Sequence, residues 1–353
     1  MGAGGRRTAH GAPAVVHHGR VAPLVSVLMP FRNSAETLPG AVASILAQRG
    51  VGVELIAVDD GSEDGGAEIV EAMAGGGRLE LLRTPGRGIA AALLAAARAA
   101  SGRWLARMDA DDLCAPDRLA AQVAMLRSDP SLGAVGTQVE TVGAEPAGEG
   151  LRRYVRWQNA LLTPEDHARD LFVESPLCHP SVVMRREAYD AVGGYRDPPW
   201  AEDYDLWLRL SAGGFGLAKV PRVLLSWRHR PDRLTLTDAR YEPARFRQAK
   251  AHYLAPVLAR MARPLVVWGA GPTGRRLARD LEHHGIRATR FVDIDPRKIG
   301  GVARGVPIVP PEALERDRET ILVAVGARGA RALIRTRLGD MGFAEGRDFL
   351  CAA

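Results

Sequence analysis

The sequence predicts an α/β protein in two units, a larger and mostly parallel sheet flanked by helices followed by a smaller strand-and-helix unit. Three observations predict it. Short apolar runs alternate with segments of helical periodicity from Val25 onward, the pattern of parallel strands joined by covering helices. Acidic residues stand directly after two of those runs, at the strand ends where open α/β sheets bind ligands. The chain of 353 residues is longer than one core usually organises, and a new strand, glycine turn and helix begin near Pro264.

The opening MGAGGRRTAHGAPAVVHHGR lacks the apolar core of a secretory signal and reads as a disordered tail over residues 1–23, with His17 and His18 in solvated chain. Val25 to Met29 is an apolar run closed by Pro30. Ser34 is placed to cap a helix on which Leu38, Val42, Ile45 and Leu46 share a face. ELIAVDD, Glu54 to Asp60, is a buried strand, followed by a cap at Ser62 and a helix from Ala67 to Met73 that the glycines from Gly75 to Gly77 end. Leu79 to Leu82 is a third strand. An alanine-rich helix from Ile89 to Ala100 stops at Gly102, and Trp104 to Met108 is a fourth strand running into Asp109. Beyond Leu113 the pattern is less regular: Pro116 opens a helix, and Ser181 to Met184 and Val223 to Trp227 read as strands. The expected division is a first unit over 24–235, a helical linker over 236–262 and a second unit over 263–353.

Composition limits the function. Hydrophobic residues at 46% and charged residues at 25% describe a globular chain. The net charge of +6 suits anionic ligands such as nucleoside diphosphates, and it permits peripheral contact with an acidic membrane surface. Nucleic acid is not expected, because the arginines are dispersed among Ala, Leu and Gly with no basic stripe interleaved with aromatics. Cys114, Cys178 and Cys351 fit neither a disulfide framework nor a metal clip, which suggests a reducing cytoplasm. No uncharged apolar run reaches the roughly 18 to 20 residues of a membrane helix.

RMDADD, Arg107 to Asp112, carries the strongest chemical signal. Three carboxylates this close raise one another's pKa unless a cation neutralises them, and Mg²⁺ or Mn²⁺ bound through carboxylates and substrate phosphates is the usual resolution. A solvated turn with Asp112 capping the next helix is the alternative. In VDDGSED, Asp59 and Asp60 leave a strand end and Gly61 lets the backbone turn, so one carboxylate can meet a base or ribose or else simply serve a capping loop. WAEDYDLWLRL puts Glu202 and Asp203 in the first turn of a helix. There Asp203 can take a proton from a hydroxyl, or both acids can complement the helix dipole. Arg228, His229, Arg230 and Arg233 cluster after a strand, as cations for a departing diphosphate with His229 as a metal ligand, or as a solvated basic loop. His179, in CHPS, reads more readily as structural than as functional.

Taken in order, VSVLMPFRNSAETL, ELIAVDDGSEDGG, RMDADD, HPSVVMRREAYDAVGGY, AEDYDLWLRL and SWRHRPDRLT resemble the family 2 inverting glycosyltransferases of the GT-A fold, over about residues 24 to 235. The resemblance implies a hexosyl transfer by single displacement from a nucleotide-sugar donor, commonly a UDP-sugar, to a saccharide, lipid-linked or small-molecule acceptor. It places Pro30, Phe31, Asp59 and Asp60 at the nucleoside, Arg87 and Arg228 near the nucleotide, and Asp109 beside the ribose or metal. Asp111 becomes the Mn²⁺ or Mg²⁺ ligand with His229 beside it, Glu202 a substrate contact, and Asp203 the base. A lipid-linked acceptor implies a place on the inner face of a membrane. The competing reading is a regulatory protein that binds nucleotide-sugar without turnover.

In the second unit, GAGPTG follows the strand LVVW and opens a helix, and Asp293 stands about twenty residues on, where a ribose-binding acid belongs. The unit resembles Rossmann-like modules. Gly269, Gly271, Gly274 and Asp293 are its candidate site for a nucleotide or CoA-type ligand. The alternative is a scaffold, or a homo-oligomer contact, that keeps the glycines for packing.

Overall fold

The structure, a computed structural model, describes residues 25–143, 147–230 and 233–353. The tail expected over residues 1–23 lies outside the described residues. The first sheet contains β1 (Val25–Phe31), β2 (Val53–Asp59), β3 (Leu79–Arg83), β4 (Trp104–Arg107), β5 (Leu113–Cys114), β6 (Leu132–Val142), β7 (Val183–Arg185) and β8 (Gly216–Arg228), in the order β3-β2-β1-β4-β7-β6-β8-β5. The pairings β1 with β2, β1 with β4, β2 with β3, and β6 with β8 are parallel. Those of β7 with β4 and β6, and of β5 with β8, are antiparallel.

Every residue of β1 is buried, as a strand covered on both faces requires. Val25, Val27, Met29 and Phe31 enter the core under the helix Leu38–Leu46. Leu28 faces the other way, into a core with Leu93 and Ala96 of the alanine-rich helix Ile89–Ala99. Parallel register then aligns the strand ends: Phe31 sits beside Asp59, and Leu28 beside Arg107. Acids following β2 and β4 therefore emerge on one edge.

Local details depart from the sequence expectation where loops cross-link. The first helix starts after Thr37 with no side-chain cap, and the second starts after Gly65, at φ +80°. Ser62 is used between loops instead, its Oγ accepting from the Asn33 amide at 3.0 Å. β6 gives no clear strand signal because Gly133 and Gly136 interrupt it. Both are there for close packing: a Cβ on Gly133 would lie 2.7 Å from Phe215, and one on Gly136 2.9 Å from Leu177.

The helix Pro243–Met261 leads to the second sheet and is packed on both sides. Ala249 joins the core of the first unit, while Ala251, Leu254 and Leu258 join that of the second. The second sheet contains β9 (Leu265–Trp268), β10 (Ala288–Val292), β11 (Val302–Ala303), β12 (Val306–Val309), β13 (Thr320–Val323) and β14 (Phe349–Cys351), in the order β11-β12-β10-β9-β13-β14. Among the described residues, no helix is long and apolar enough to cross a membrane.

Candidate active site

A cavity of about 690 Å³ opens at the edge where β1, β2 and β4 end, a size suited to a small-molecule ligand. Pro30 and Phe31 leave β1 into its wall, and Asp60 follows from β2. Asp60 is already engaged: Oδ1 accepts from Thr84 Oγ1 at 2.6 Å and the Arg87 amide at 2.8 Å, and Oδ2 from the Gly88 amide at 2.7 Å. It thereby fixes the turn that starts the alanine-rich helix. A carboxylate has about four acceptor positions, so Asp60 keeps capacity for one further donor.

At the end of β4, oxygens of Asp109, Asp111 and Asp112 lie within 4.8 Å of one another. Asp109 is ion-paired with the buried Arg107, and Asp111 with Arg230 at 3.1 Å. Asp112 is fully buried; its Oδ1 accepts from the Arg228 amide at 2.7 Å, but its Oδ2 has no hydrogen-bond partner. Burial, with Asp109 adding, pushes the Asp111 carboxyl up to about 6, against the pull of Arg230 and Arg107. Burial followed by Asp109 and Asp111 drives Asp112 well above the usual carboxylate range. Uncompensated buried acid of this kind is costly. Hard oxygen donors and an orphaned carboxylate oxygen fit a divalent cation. His229 is on the same wall with a buried Nδ1 that lacks a partner, though it stands outside the three-aspartate group.

Another part of the wall comes from the first turn of the helix Glu202–Ala212, which Leu206, Trp207 and Leu210 anchor in the core. Glu202 is buried and receives the Tyr241 hydroxyl at 2.8 Å. Its Oε1 lies 3.8 Å from His179 Nδ1. Burial raises the Glu202 carboxyl despite the Tyr241 hydrogen bond. Asp203 accepts from the Tyr204 amide at 2.6 Å and lines the cavity. Burial, then Glu202, push it up to about 7, while Arg107 pulls it down. The phenols of Tyr154, Tyr195, Tyr204 and Tyr241, all raised chiefly by burial, also feel its charge. His179 hydrogen-bonds Tyr195 at 2.7 Å through Nε2, and burial, with Arg107, keeps it well below its ordinary pKa. The imidazole is therefore neutral.

The sequence profile described as Glycosyl transferase family 2 matches residues 26–193. EpsE of Bacillus subtilis (strain 168), named as a glycosyltransferase, is 35% identical over 199 residues, covering 55% of this chain and 68% of its own. The chain belongs to glycosyl transferase family 2. The hyaluronan synthase of Pasteurella multocida is 30% identical over 56% of this glycosyltransferase, a match that spans only 20% of the synthase. In fold, the transferase is similar to S. aureus TarS 1-349, with a TM-score of 0.54 and 16% identity, covering 74% of this chain and 72% of that one.

Of the residues singled out in the transferase sequence, Pro30, Phe31, Asp60, Asp109 and Asp111 meet on the cavity, as do Glu202, Asp203, Arg228 and His229. Asp59 and Arg87 do not line it: Asp59 receives the Ser62 amide at 2.9 Å in its own turn, and the Arg87 side chain is exposed. Arg228 is tied to the aspartate loop, its Nε donating to Asp111 O at 2.9 Å. Asp112, one of the three crowded carboxylates of RMDADD, stands in the cluster but is fully buried. Arg107 and Tyr241 also line the cavity without having been singled out. Arg107 precedes Asp109, the acid it pairs with, and Tyr241 carries no local signal.

The glycine turn of the second unit is far more closed. A Cβ on Gly274 would lie 2.0 Å from Gly269 O, and one on Gly269 2.6 Å from Ala324 O, whereas Gly271 faces open space. Asp293 accepts from the Ala270 amide at 3.1 Å, the Asp295 amide at 3.0 Å and Lys298 Nζ at 2.9 Å. Although burial opposes it, these donors hold the Asp293 carboxyl below its usual range.

Proposed function

We propose that this glycosyltransferase moves a hexosyl group from a nucleoside diphosphate sugar to an acceptor hydroxyl by single displacement, inverting the anomeric centre. The observation that carries the reading is the presence, on one cavity, of Asp109 and Asp111, backed by the under-compensated Asp112 of the same cluster, and of a separate partly exposed carboxylate, Asp203. Pro30, Phe31 and Asp60 receive the nucleoside. Asp111 and Asp112 hold Mn²⁺ or Mg²⁺, with Asp109 beside the ribose or the ion and His229 as a neighbouring nitrogen ligand. When bound, the ion supplies Lewis-acid stabilisation of the diphosphate. Arg228 and Arg230, next to the cluster, offset the same developing charge.

At the other side Asp203 accepts the proton of the acceptor hydroxyl while that oxygen bonds to the anomeric carbon. The bond from this carbon to the diphosphate oxygen breaks, and the nucleoside diphosphate leaves with its electron pair. A carboxyl held near neutrality is suited to this proton transfer. Glu202, clamped by Tyr241, holds the turn and contacts the acceptor.

A UDP-sugar is the first donor to test, both from the sequence resemblance and because the TarS neighbour was solved with UDP-GlcNAc. A saccharide acceptor in polysaccharide or glycoconjugate synthesis is supported by the relative named as a hyaluronan synthase. In the second unit, the engagement of Asp293 by three donors favours a structural use of the glycine turn, with Gly271 as the opening left for a nucleotide or CoA-type ligand.

The experiment is incubation with α-configured UDP-sugars, Mn²⁺ and saccharide acceptors, with UDP release measured and the new linkage assigned by NMR. The expected product is β-linked. A retained configuration overturns the displacement, and donor binding without UDP release makes the chain a nucleotide-sugar-binding protein.

A further inference from the structure

We infer that the C-terminal unit and the helix Pro243–Met261 that leads to it mount the acceptor side of the active-site cavity, with Arg335 and Lys250 as positioning residues that act through the segment from Asp170 to Ser175. The inference rests on the assignment of the Asp203 side to the acceptor made above. Glu174 and Ser175 line the cavity. The chain leading to them is held from both units: Leu171 is buried in the first core and its carbonyl accepts from Tyr204 Oη at 2.8 Å, while its neighbours Asp170 and Val173 are anchored from the C-terminal side.

Asp170 is 3% exposed and ion-paired with Arg335 of the helix Ala330–Asp340, while its Oδ2 accepts from Trp157 Nε1 at 3.3 Å. Arg335 is itself held by Glu345 at 2.8 Å. Three residues on, the Val173 carbonyl accepts from Lys250 Nζ at 2.6 Å, and the same ammonium reaches the Ala352 carbonyl at 3.3 Å. Lys250 is 9% exposed, so its charge is spent on two carbonyls that belong to different units. The Val173 side chain is buried in the second core with Val266, Trp268 and Val323. On the cavity side, Tyr154 Oη donates to Ser175 O at 2.9 Å, which joins the mounted segment to a second lining residue.

A buried charge-assisted contact of this kind fixes geometry because each partner becomes costly when left alone. A wall clamped at Asp170 and Val173 leaves little freedom at Glu174 and Ser175. The donor residues Pro30, Phe31 and Asp60 hang on β1 and β2 instead and share none of these anchors.

Hydrogen–deuterium exchange on the full chain tests the mount. In Arg335→Ala and Lys250→Met, amides from Leu171 to Ser175 should exchange about tenfold faster or more than in the parent, as loss of a charge-assisted contact loosens local opening. UDP affinity with Mn²⁺ should stay within about twofold, and Arg335→Lys should recover most of the protection. Unchanged exchange across this segment overturns the inference, and so does a loss of UDP affinity parallel to the loss of protection. If Arg335→Ala fails to fold, Asp170→Asn is read with the same two outcomes. Failure of the parent chain to bind UDP would count against the proposed function, while the exchange comparison is read without nucleotide.

Discussion

Two acidic strand ends in this molecule look alike in sequence and differ in chemistry. Asp112, after β4, is fully buried with one oxygen unpartnered among two further carboxylates. Asp293, after β10, is also buried, yet three donors meet it and hold its carboxyl below the usual range. The first arrangement is costly for the chain alone and calls for a ligand; the second is complete. What differs between the two is therefore the balance of donors around the acid, not the acid's place after a strand.

The largest effect expected from this contrast is at Asp111. Asp111→Asn should lower turnover by about a thousandfold, the equivalent of several kcal/mol of charge stabilisation, and should abolish the Mn²⁺ dependence of UDP binding measured by calorimetry. A variant with unaltered metal dependence would move the cation elsewhere.

Next is the pH dependence. Asp203 must be ionised to accept a proton, and burial beside Glu202 holds it up at about 7. Turnover should thus be full above that value and fall about tenfold per unit below it, reaching roughly a hundredfold at pH 5. Arg107 is the cation that pulls it down, while the surrounding phenols are raised and stay neutral over this window. A flat profile from pH 5 to 8 breaks the assignment.

The second unit should respond in stability instead. Gly274→Ala drives a Cβ toward the Gly269 carbonyl and should cost about 3 kcal/mol in thermal unfolding, whereas Gly271→Ala should stay within about 0.5 kcal/mol. Asp293→Asn should cost about 2 kcal/mol through its three donors and leave UDP release by the folded enzyme unchanged. Tight binding of a nucleotide or CoA to this unit, weakened by Gly271→Ala, would sharpen the comparison by giving the glycine turn a ligand.

The strands and acids of the first half were legible because their signals are local. VSVLM, ELIAV and RWLARM are apolar runs bounded by turns, and parallel register brings Asp60 and the RMDADD acids to one edge. Asp203 was legible from the motif around it. In the other half, the runs Ser181–Met184 and Val223–Trp227 fall on β7 and β8, but β6 was not legible: its glycines weaken its strand pattern, and their purpose appears only when Phe215 and Leu177 pack against them. The clamp of Glu202 by Tyr241 spans 39 residues, and that of Asp170 by Arg335 spans 165, distances at which no periodicity carries information. Asp59 and Arg87 belong to local turns beside the cavity and do not line it. Position along the chain does not reveal which side chain of a turn faces inward.

The most direct measurement of the central claim is Asp203→Asn, assayed for UDP release at saturating UDP-sugar and for UDP affinity with Mn²⁺. Turnover should drop by about a thousandfold, within the range for a lost general base, while affinity stays within about twofold. Turnover equal to the parent's, or loss of both quantities together, would contradict an acceptor-side base separate from the diphosphate-side cluster.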